Sequence, residues 1–326
     1  MANYLVTGAA GFIGSRVAEF LLSDGHQVYG VDNVNEAYDV RLKHFRLGRL
    51  QGREGFHFHK WDLSEKPIIE RLSDWLPKQV DGVIHLAAWA GTRRSLTNPW
   101  VYVDTNVTGT LNILELCRQR SLPKLVMAST SSVYGEVSKP PYKETDDTDH
   151  PLQPYAATKK GAEAMAYAYH HLYDLDITVL RFFTVYGPAG RPQMVMFRFC
   201  KWIAEGQPVV VNGDGEQTRG FTYLDDIARG TILALKPLGY DVINLGGHEV
   251  ITINKMIGIL EEKIGKKAMI THHAFHPADV RANHADVSKA RKVLGWQPQV
   301  GLDEGISHLV DWYMQERDWA CQIETP

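Results

Sequence analysis

The sequence is poor in cysteine, with three in 326 residues, widely separated at Cys117, Cys200 and Cys321. So few cysteines exclude a disulfide-stapled scaffold, provide no zinc-ligand spacing and favour a reducing compartment. No run of about 18 apolar residues occurs, so no membrane span is predicted. The first residues have no basic stretch before their apolar run and do not resemble a signal peptide. We therefore expect a cytoplasmic protein with no membrane partner.

Neither sign of charge dominates, because 35 Lys and Arg residues face 38 Asp and Glu residues, for a formal net charge of -3. Binding of nucleic acid favours a basic excess, so no nucleic-acid partner is expected, although this balance is compatible with a local basic pocket for a small anion. The chain has 14 histidines, with a cluster at His272, His273, His276 and His284. No cysteine or carboxylate spacing accompanies the cluster, so we predict no metal site.

The length of 326 residues and the 44% content of hydrophobic residues indicate a globular chain of roughly two domains. In the first half, short apolar runs alternate with helical patterns. Strands are expected at residues 4–7, 27–31, 82–86, 124–129 and 177–181, and helices at 15–22 and 104–119. Such alternation predicts an α/β fold with a doubly wound parallel sheet, and ligands bind at the carboxyl ends of its strands.

After about Gly187 the pattern becomes irregular, and prolines cluster at Pro188, Pro192 and Pro208. A helix at 222–235 and a strand at 240–245 are expected within this half. We predict a smaller C-terminal α/β region that caps the first half and binds the substrate.

A glycine-rich loop follows the first predicted strand and opens the first helix, with Gly8, Gly11 and Gly14 in Gly-x-x-Gly-x-x-Gly spacing. Glycines at such positions allow a tight turn and close approach of a pyrophosphate to the helix N-terminus. The spacing alone is a weak signal, and an ordinary strand–helix turn is the alternative. Asp32 ends the second strand, where an acid would hold an adenosine ribose and favour NAD over NADP. Asp62 is a weaker candidate for a contact near the adenine, and a solvated turn residue is the alternative.

Tyr155 and Lys159 are four residues apart, so on a helix they share one face. A lysine cation favours the phenolate of a nearby tyrosine, which could then remove a proton from a sugar hydroxyl. The pair alone is common on solvated helix faces. Upstream, the Ser/Thr-rich segment 128–135 ends a predicted strand and would place its hydroxyls at the same edge of the sheet.

At this point the sequence is identified as resembling the extended short-chain dehydrogenase/reductases that act as NAD-dependent nucleotide-sugar epimerases and dehydratases. The resemblance extends over nearly the whole chain. It rests on Gly8-x-x-Gly11-x-x-Gly14, His85-Leu86-Ala87-Ala88, Tyr155-x-x-x-Lys159, the segment 181–188, the segment 219–226, Asp279-Val280-Arg281 and Leu294-Gly295-Trp296-Gln297-Pro298. It implies a Rossmann-type sheet and NAD as cofactor.

The resemblance also implies roles for individual residues. Thr130 would hydrogen-bond the sugar O4, Tyr155 would be the base, and Lys159 would orient the nicotinamide ribose and lower the pKa of Tyr155. Arg219 and Arg281 would hold the nucleotide diphosphate, with surface salt bridges as the alternative. The residues expected at the cofactor are Gly8, Gly11, Phe12, Ile13, Gly14, Asp32, Asn33, Asp62, Leu63, Ala87, Ala88, Asn106, Tyr155 and Lys159.

Two serines discriminate among the family's reactions. Related 4,6-dehydratases carry Asp-Glu directly after the threonine, and UDP-glucuronate decarboxylases carry Glu at the second position after it. Ser131 and Ser132 stand there in this chain and cannot act as carboxylic acids. Elimination and Glu-assisted decarboxylation are therefore disfavoured, and 4-epimerisation remains.

The substrate hint comes from loops that resemble UDP-glucuronate 4-epimerases, at residues 33–43, 90–96 and 183–192. The residues expected at the substrate are Arg93, Ser131, Ser132, Thr184, Arg191, Arg219 and Arg281. Hydroxyls of Ser131, Ser132 and Thr184 would bind the sugar carboxylate. Three departures from the family pattern, at Trp89, Arg94 and Gly220, bear on the choice of sugar. The alternatives are a UDP-glucose or UDP-N-acetylglucosamine 4-epimerase, a UDP-glucuronate decarboxylase, and a non-enzymatic NAD-binding module.

The expected organisation is an NAD-binding domain over residues 1–186, to which 220–245 return, and a mainly substrate-binding region over 187–326. The resemblance further implies a homodimer formed through paired helices. The stripe Leu111, Leu114 and Cys117 is assigned either to the core or to such a dimer face.

Overall fold

The structure, a computed structural model, describes residues 1–136, 139–275 and 280–325. The strands are β1 (Asn3–Thr7), β2 (Gln27–Asp32), β3 (Phe56–Lys60), β4 (Gly82–His85), β5 (Leu125–Thr130), β6 (Ile177–Phe182), β7 (Thr184–Tyr186), β8 (Pro208–Asn212), β9 (Thr218–Tyr223), β10 (Tyr240–Leu245), β11 (Glu249–Thr252), β12 (Met269–His273) and β13 (Ala282–Asn283). The helices are α1 (Phe12–Ser23), α2 (Val40–Gly48), α3 (Ile68–Trp75), α4 (Trp100–Tyr102), α5 (Gly109–Gln119), α6 (Pro154–Tyr173), α7 (Val195–Ala204), α8 (Leu224–Leu233), α9 (Ile253–Ile264), α10 (Ser288–Leu294), α11 (Leu302–Gln315) and α12 (Arg317–Ala320).

The largest sheet has seven strands in the order β10-β6-β5-β4-β1-β2-β3. Every neighbouring pair in it is parallel. Helices follow β1, β2, β3, β4 and β5 in sequence, so the chain crosses over a face of the sheet before each new strand. This is the doubly wound, Rossmann-type α/β fold that the alternating pattern predicts, and that prediction is confirmed.

Both faces of this sheet are covered, because neighbouring residues on each strand point to opposite faces. Val6, Ile84, Val126 and Leu180 belong to one core, together with Val17 of α1 and Ile227 of α8. Leu5, Val83, Leu125 and Val179 belong to a second core, together with Leu72 of α3, Ile113 of α5 and Ala162 of α6. Burial on both faces explains why these strands read as continuous apolar runs.

A second layer is built around β9, which pairs antiparallel with β11 and parallel with β13 and β7. The strands β8 and β12 form a separate parallel pair. Helices α7, α9 and α11 pack on this layer through a third core, which includes Phe197, Ile257 and Leu309. The chain returns to the first sheet at β10, which pairs with β6.

Two helix predictions differ from the structure. The helix predicted over 222–235 begins only at Leu224, because Thr222 and Tyr223 pair with β7 as the end of β9. The helix predicted from residue 104 begins at Trp100 and contains a π-helical turn over Val103–Thr108 before α5. At Thr222 and Tyr223, strand pairing overrides the helical periodicity. In the π-helical turn, the buried side chain of Asn106 makes the hydrogen bonds described below.

None of the helices in the described parts of the chain has the length and apolar character needed to cross a membrane.

Candidate active site at the carboxyl edge of the sheet

The glycine loop between β1 and α1 is a close-packed turn. Gly8 has a positive φ of 73°, and a Cβ there would lie 2.8 Å from the Ala87 nitrogen. A Cβ on Gly14 would collide with the carbonyl oxygen of Gly8. The α1 helix begins at Phe12, and the residue before it, Gly11, offers no side-chain cap. The loop therefore leaves helix N–H groups available to an anion, as a cofactor pyrophosphate requires.

Asp32 lies beside this loop at the end of β2 and is buried. Its carboxylate accepts hydrogen bonds from the Ala10 N–H (3.2 Å) and the Val34 N–H (2.7 Å). The ammonium of Lys43, also buried, lies 3.6 Å from the same carboxylate. The position at the strand end, next to the glycine loop, suits an acid that binds an adenosine ribose.

Asp62, the predicted contact near the adenine, follows the next strand, β3, and Leu63 adjoins it. The Asn33 side-chain amide donates to the Asp62 carboxylate (2.8 Å), which also accepts from the Ser64 N–H (2.9 Å). Burial opposes ionisation, but the hydrogen bonds from Ser64 and Asn33 outweigh it and lower the pKa of Asp62. Leu63 is buried against Gly109 of α5. A glycine cradle, an acid at β2 and a polar wall at β3 fit a bound dinucleotide.

A buried histidine links the strands beneath Ala87 and Ala88. The Thr110 hydroxyl donates to the Asn106 carbonyl (2.6 Å), so it accepts from Nε2 of His85 (3.1 Å). Nδ1 of His85 is then the acceptor for the Thr7 hydroxyl (2.7 Å), which in turn accepts from the Ala87 N–H (3.2 Å). Burial, reinforced by the Lys159 charge, lowers the pKa of His85 to about 3, so the ring is neutral. This chain of bonds fixes the backbone where the nicotinamide half of a cofactor would lie.

Asn106 occupies the π-helical turn and is fully buried. Its amide oxygen accepts from the Trp89 N–H (2.8 Å), and its amide nitrogen donates to the Trp89 carbonyl (3.0 Å) and to the Thr158 hydroxyl (3.1 Å). Thr158 lies on α6 between the two predicted catalytic residues. Asn106 thus ties the loop after β4 to the catalytic helix, which is the local reason for the irregular turn.

Tyr155 and Lys159 lie on one face of α6, where Lys159 is buried and Tyr155 is partly buried. Burial raises the pKa of Tyr155, while a hydrogen bond with Thr130 and the charge of Arg191 oppose that rise. Burial lowers the pKa of Lys159 to about 8, and the Glu163 charge opposes the decrease. The cation that acts on Tyr155 here is Arg191, so the effect of Lys159 on that phenol stays a prediction.

Beneath the catalytic helix lies a buried polar group that the sequence reasoning missed. The Glu163 carboxylate accepts from Nε (3.0 Å) and Nη2 (2.7 Å) of Arg181 and from the Ser129 hydroxyl (2.5 Å). Arg181 also donates to the Tyr134 hydroxyl (3.1 Å). The sequence did contain a signal for this pair. Glu163 is a single carboxylate on an apolar helix face and Arg181 a single guanidinium in an apolar strand, and burying either charge without a partner is costly.

Beside Thr130 is a cavity of about 140 Å³. Its wall includes Ser131, Ser132, Tyr142, Gln153, Arg219 and Asn283. The structure therefore brings Ser131, Ser132 and Arg219 together, as predicted, and adds Tyr142, Gln153 and Asn283. Asn283 lies two residues after the motif Asp279-Val280-Arg281, and this nearness to the motif was the available signal.

Other predicted substrate residues lie off this wall. Arg281 is exposed, with its guanidinium over the Phe275 ring (5.6 Å), and Asp279 of the same motif lies outside the described residues. Thr184 is on β7, opposite Phe221 of β9. Arg191 donates to the Met194 sulfur (3.2 Å) and lies near Tyr155. Arg93 is in the loop before the short turn Arg94–Leu96.

The structure shows the surroundings of the three residues that depart from the family pattern, Trp89, Arg94 and Gly220. A Cβ on Gly220 would collide with the Gly247 carbonyl, so this chain packs β9 against a glycine loop where an aspartate would not fit. Arg94 donates to the Ala37 carbonyl, joining the loops after β2 and β4. The Trp89 ring lies 6.1 Å from that of Tyr102, which is 6.0 Å from Tyr155.

In the ranges for which the structure gives positions, no group of three or more His, Cys, Asp or Glu side chains is arranged to hold a metal ion. His276, one member of the histidine cluster, lies outside those ranges.

Fold and site together define the class: a Rossmann-type enzyme of the extended short-chain dehydrogenase kind, with a tyrosine and a lysine on one helix near a polar cavity. A family model described as GDP-mannose 4,6 dehydratase matches residues 5–309. The chain belongs to this family, and the resemblance inferred from its motifs is confirmed.

Individual relatives narrow the comparison. The UDP-glucuronate 4-epimerase of Thermodesulfobacterium geofontis is 57% identical over 317 residues, covering 96% of each chain. A crystal structure of UDP-glucuronic acid 4-epimerase from Bacillus cereus with UDP-glucuronic acid and NAD has a TM-score of 0.90 and 38% identity, covering 96% of this chain and 99% of that one. A UDP-glucose 4-epimerase of Thermotoga maritima with UDP-glucose has a TM-score of 0.89 and 32% identity, covering 97% and 99%.

Proposed function

We propose that this protein is an NAD-dependent isomerase that interconverts UDP-glucuronate and UDP-galacturonate by inversion at C4. One observation carries the proposal: Thr130 bonds Tyr155, and the two residues directly after it, Ser131 and Ser132, line the cavity. These serines provide donors for a carboxylate and no acid or base for elimination. NAD-dependent 4-epimerisation of a UDP-sugar agrees with the relatives above, and UDP-glucuronate is bound by one of the related structures.

The chain's own groups provide the proton chemistry. Tyr155 removes the O4 proton, and Thr130 holds the same oxygen through its hydroxyl. Lys159 lies on the same helix face as Tyr155, and its pKa of about 8 leaves it mostly a cation at neutral pH. Bound NAD supplies the acceptor and donor of the C4 hydride. Gly8, Gly14 and Asp32 would hold that cofactor.

Inversion requires the 4-keto sugar to present its other face while the nucleotide stays bound. Arg219, on the cavity wall, is proposed to hold the diphosphate, since its fork of donors matches phosphate oxygens. We propose the same partner for Arg281 and Arg93, and a place near the sugar for Arg191. A 4-keto glucuronate is a β-keto acid, so donors from Ser131, Ser132 and Thr184 must also hold the carboxylate away from the geometry that releases CO2.

The test is incubation of the NAD-loaded protein with UDP-glucuronate, UDP-glucose and UDP-N-acetylglucosamine, with products identified by NMR. UDP-galacturonate as the only product supports the proposal. Conversion of either neutral sugar instead would assign the alternative substrate. A UDP-pentose would refute the argument from the serines, and no product with any sugar would favour a binding module.

We also propose a homodimer formed through α5 and α6. Leu111, Tyr167, Leu172 and Tyr173 are exposed apolar side chains on these helices, whereas Leu114 and Cys117 belong to the core. Light scattering after size exclusion tests this: Leu172→Glu should give monomers if these helices pair, and a monomeric parent protein would refute the proposal.

Two further expectations remain proposals. We propose a cytoplasmic location, supported by three cysteines that are all free in the structure. We also propose a division into a cofactor domain over 1–186 with 220–245, and a substrate region over the rest. Cell fractionation tests the first, and limited proteolysis with and without NAD tests the second.

A further inference from the structure

Asn283 faces the candidate sugar-binding serines from the second layer of the protein. It ends β13 and lies in register with Arg219 on β9, and both side chains line the cavity. The Asn283 side-chain nitrogen donates to the Ser131 hydroxyl oxygen (3.2 Å). The sequence reasoning assigned no role to this residue.

The direction of this hydrogen bond determines what Ser131 can do. A serine hydroxyl has one hydrogen to donate and can accept two hydrogen bonds. Because Asn283 donates to the Ser131 oxygen, the hydroxyl hydrogen of Ser131 is left for another acceptor. Ser131 lies on the cavity wall, so that acceptor would be a ligand group in the cavity.

We propose that Asn283 is a specificity-determining residue that makes Ser131 a hydrogen-bond donor and thereby selects a sugar carboxylate. A carboxylate only accepts, so it requires donors around it, whereas a hydroxymethyl group can donate or accept and gains little from this arrangement. Asn283 acts through Ser131 and is a positioning residue for the C5 substituent. This inference rests on the proposed substrate class, a UDP-uronate.

The side-chain oxygen of Asn283 also indicates that this residue faces a ligand. The Asn283 side-chain oxygen is buried and has no hydrogen-bond partner among the residues that the structure describes. A buried acceptor without a partner is costly, so one that lines a cavity is normally met by a ligand donor or by water. A sugar hydroxyl can provide that donor, and the carboxylate cannot.

A double-mutant cycle tests the coupling. Asn283→Ala, Ser131→Ala and the double variant are made in a Tyr155→Phe background, which keeps the ligand unconverted, and binding to the NAD-loaded protein is measured by calorimetry. Each single variant should bind UDP-glucuronate about tenfold more weakly, the order expected for one charge-assisted hydrogen bond. The double variant should be no more than about twofold weaker than the weaker single variant, since the two residues act as a unit.

Two control ligands separate this role from a structural one. UDP affinity should be unchanged in the alanine variants. UDP-glucose affinity should change less than about threefold, because this ligand has no carboxylate and loses only the neutral contact of a sugar hydroxyl with Asn283. Asn283→Asp has the same shape but only accepts, so it should weaken UDP-glucuronate binding more than Asn283→Ala does, and by a larger factor than it weakens UDP binding.

Losses that multiply in the double variant would overturn the inference, and so would an equal loss of UDP affinity or normal UDP-glucuronate binding by Asn283→Asp. In the protein with Tyr155 intact, conversion of UDP-glucuronate is followed separately by NMR. Failure there would refute the proposed reaction, while the binding cycle would still decide the role of Asn283.

Discussion

Replacing Glu163 by glutamine tests how far the buried ion pair under α6 supports the site. Glu163 and Arg181 are each 5% exposed at their side chains, and Arg181 binds the carboxylate through two nitrogens. Removing one partner of such a pair leaves a buried charge uncompensated, which costs about 3–5 kcal/mol. The matched control is Glu65→Gln, whose carboxylate pairs with Arg71 (2.7 Å) at 49% and 45% exposure. An exposed pair of that kind contributes about 0–1 kcal/mol.

Urea denaturation of both variants measures these losses as free energies of unfolding. A loss below about 1 kcal/mol for Glu163→Gln would refute the reasoning, because it would mean that the pair is not buried or is readily replaced by water.

The same variant should change the pH dependence of catalysis. Glu163 raises the pKa of Lys159, which burial has lowered to about 8. Without the Glu163 charge that pKa falls further, and Lys159 loses its proton at lower pH. The lysine cation exists only below its pKa, so the alkaline decline of kcat/KM should move to lower pH. An unchanged alkaline limb, in a variant that remains folded at the assay temperature, would show that Lys159 does not control it.

Three further predictions concern the cofactor and the base. Tyr155→Phe should reduce conversion at least 100-fold and leave binding of UDP-glucuronate intact, as followed by NMR and calorimetry; a near-normal rate would mean that another group is the base. Gly14→Ala should abolish NAD retention, measured by chromatography of the released cofactor, because its Cβ collides with the Gly8 carbonyl, whereas Gly161→Ala, with nothing within 4 Å of the added Cβ, should retain NAD. Asp32→Asn should improve NADP binding relative to NAD about tenfold or more, since a carboxylate that repels a 2′-phosphate is removed while Lys43 remains, and an unchanged ratio in fluorescence titrations would contradict this.

Local patterns predicted six of the seven strands of the first sheet, whereas β3 (Phe56–Lys60) was not predicted. The runs at residues 4–7 and 82–86 are apolar because both faces of their strands are covered, and such runs are recognisable without a structure. The second layer was largely invisible, since β9 contains Thr218, Arg219 and Gly220 and is defined by its partners in β7, β11 and β13 rather than by its own periodicity. Strand preference depends strongly on such context.

In the site, too, residues within short motifs could be predicted, and residues whose role depends on distant partners could not. Tyr155, Lys159 and Thr130 could be predicted because short motifs place them on one helix and one strand end. Asn283 could not, because its importance depends on the distance to Ser131, which lies 152 residues away in sequence. Arg281 illustrates the converse: a correct motif did not fix the direction of a long side chain, which packs on Phe275 in the structure.

The neutral His85 makes the fold beneath the candidate cofactor site sensitive to acid. In the unfolded chain a histidine has a pKa of about 6.5, whereas burial has lowered that of His85 to about 3. The unfolded state therefore binds more protons between these values, and the free energy of unfolding decreases as the pH falls below about 6.5. A protonated ring has only donors, so Nδ1 could no longer accept from Thr7, and the hydroxyl that holds the Ala87 N–H would lose its orientation. Acid would therefore act on this candidate cofactor site first through the whole fold, whose stability falls below about pH 6.5, and only near pH 3 through protonation of the native ring and loss of its bond to Thr7.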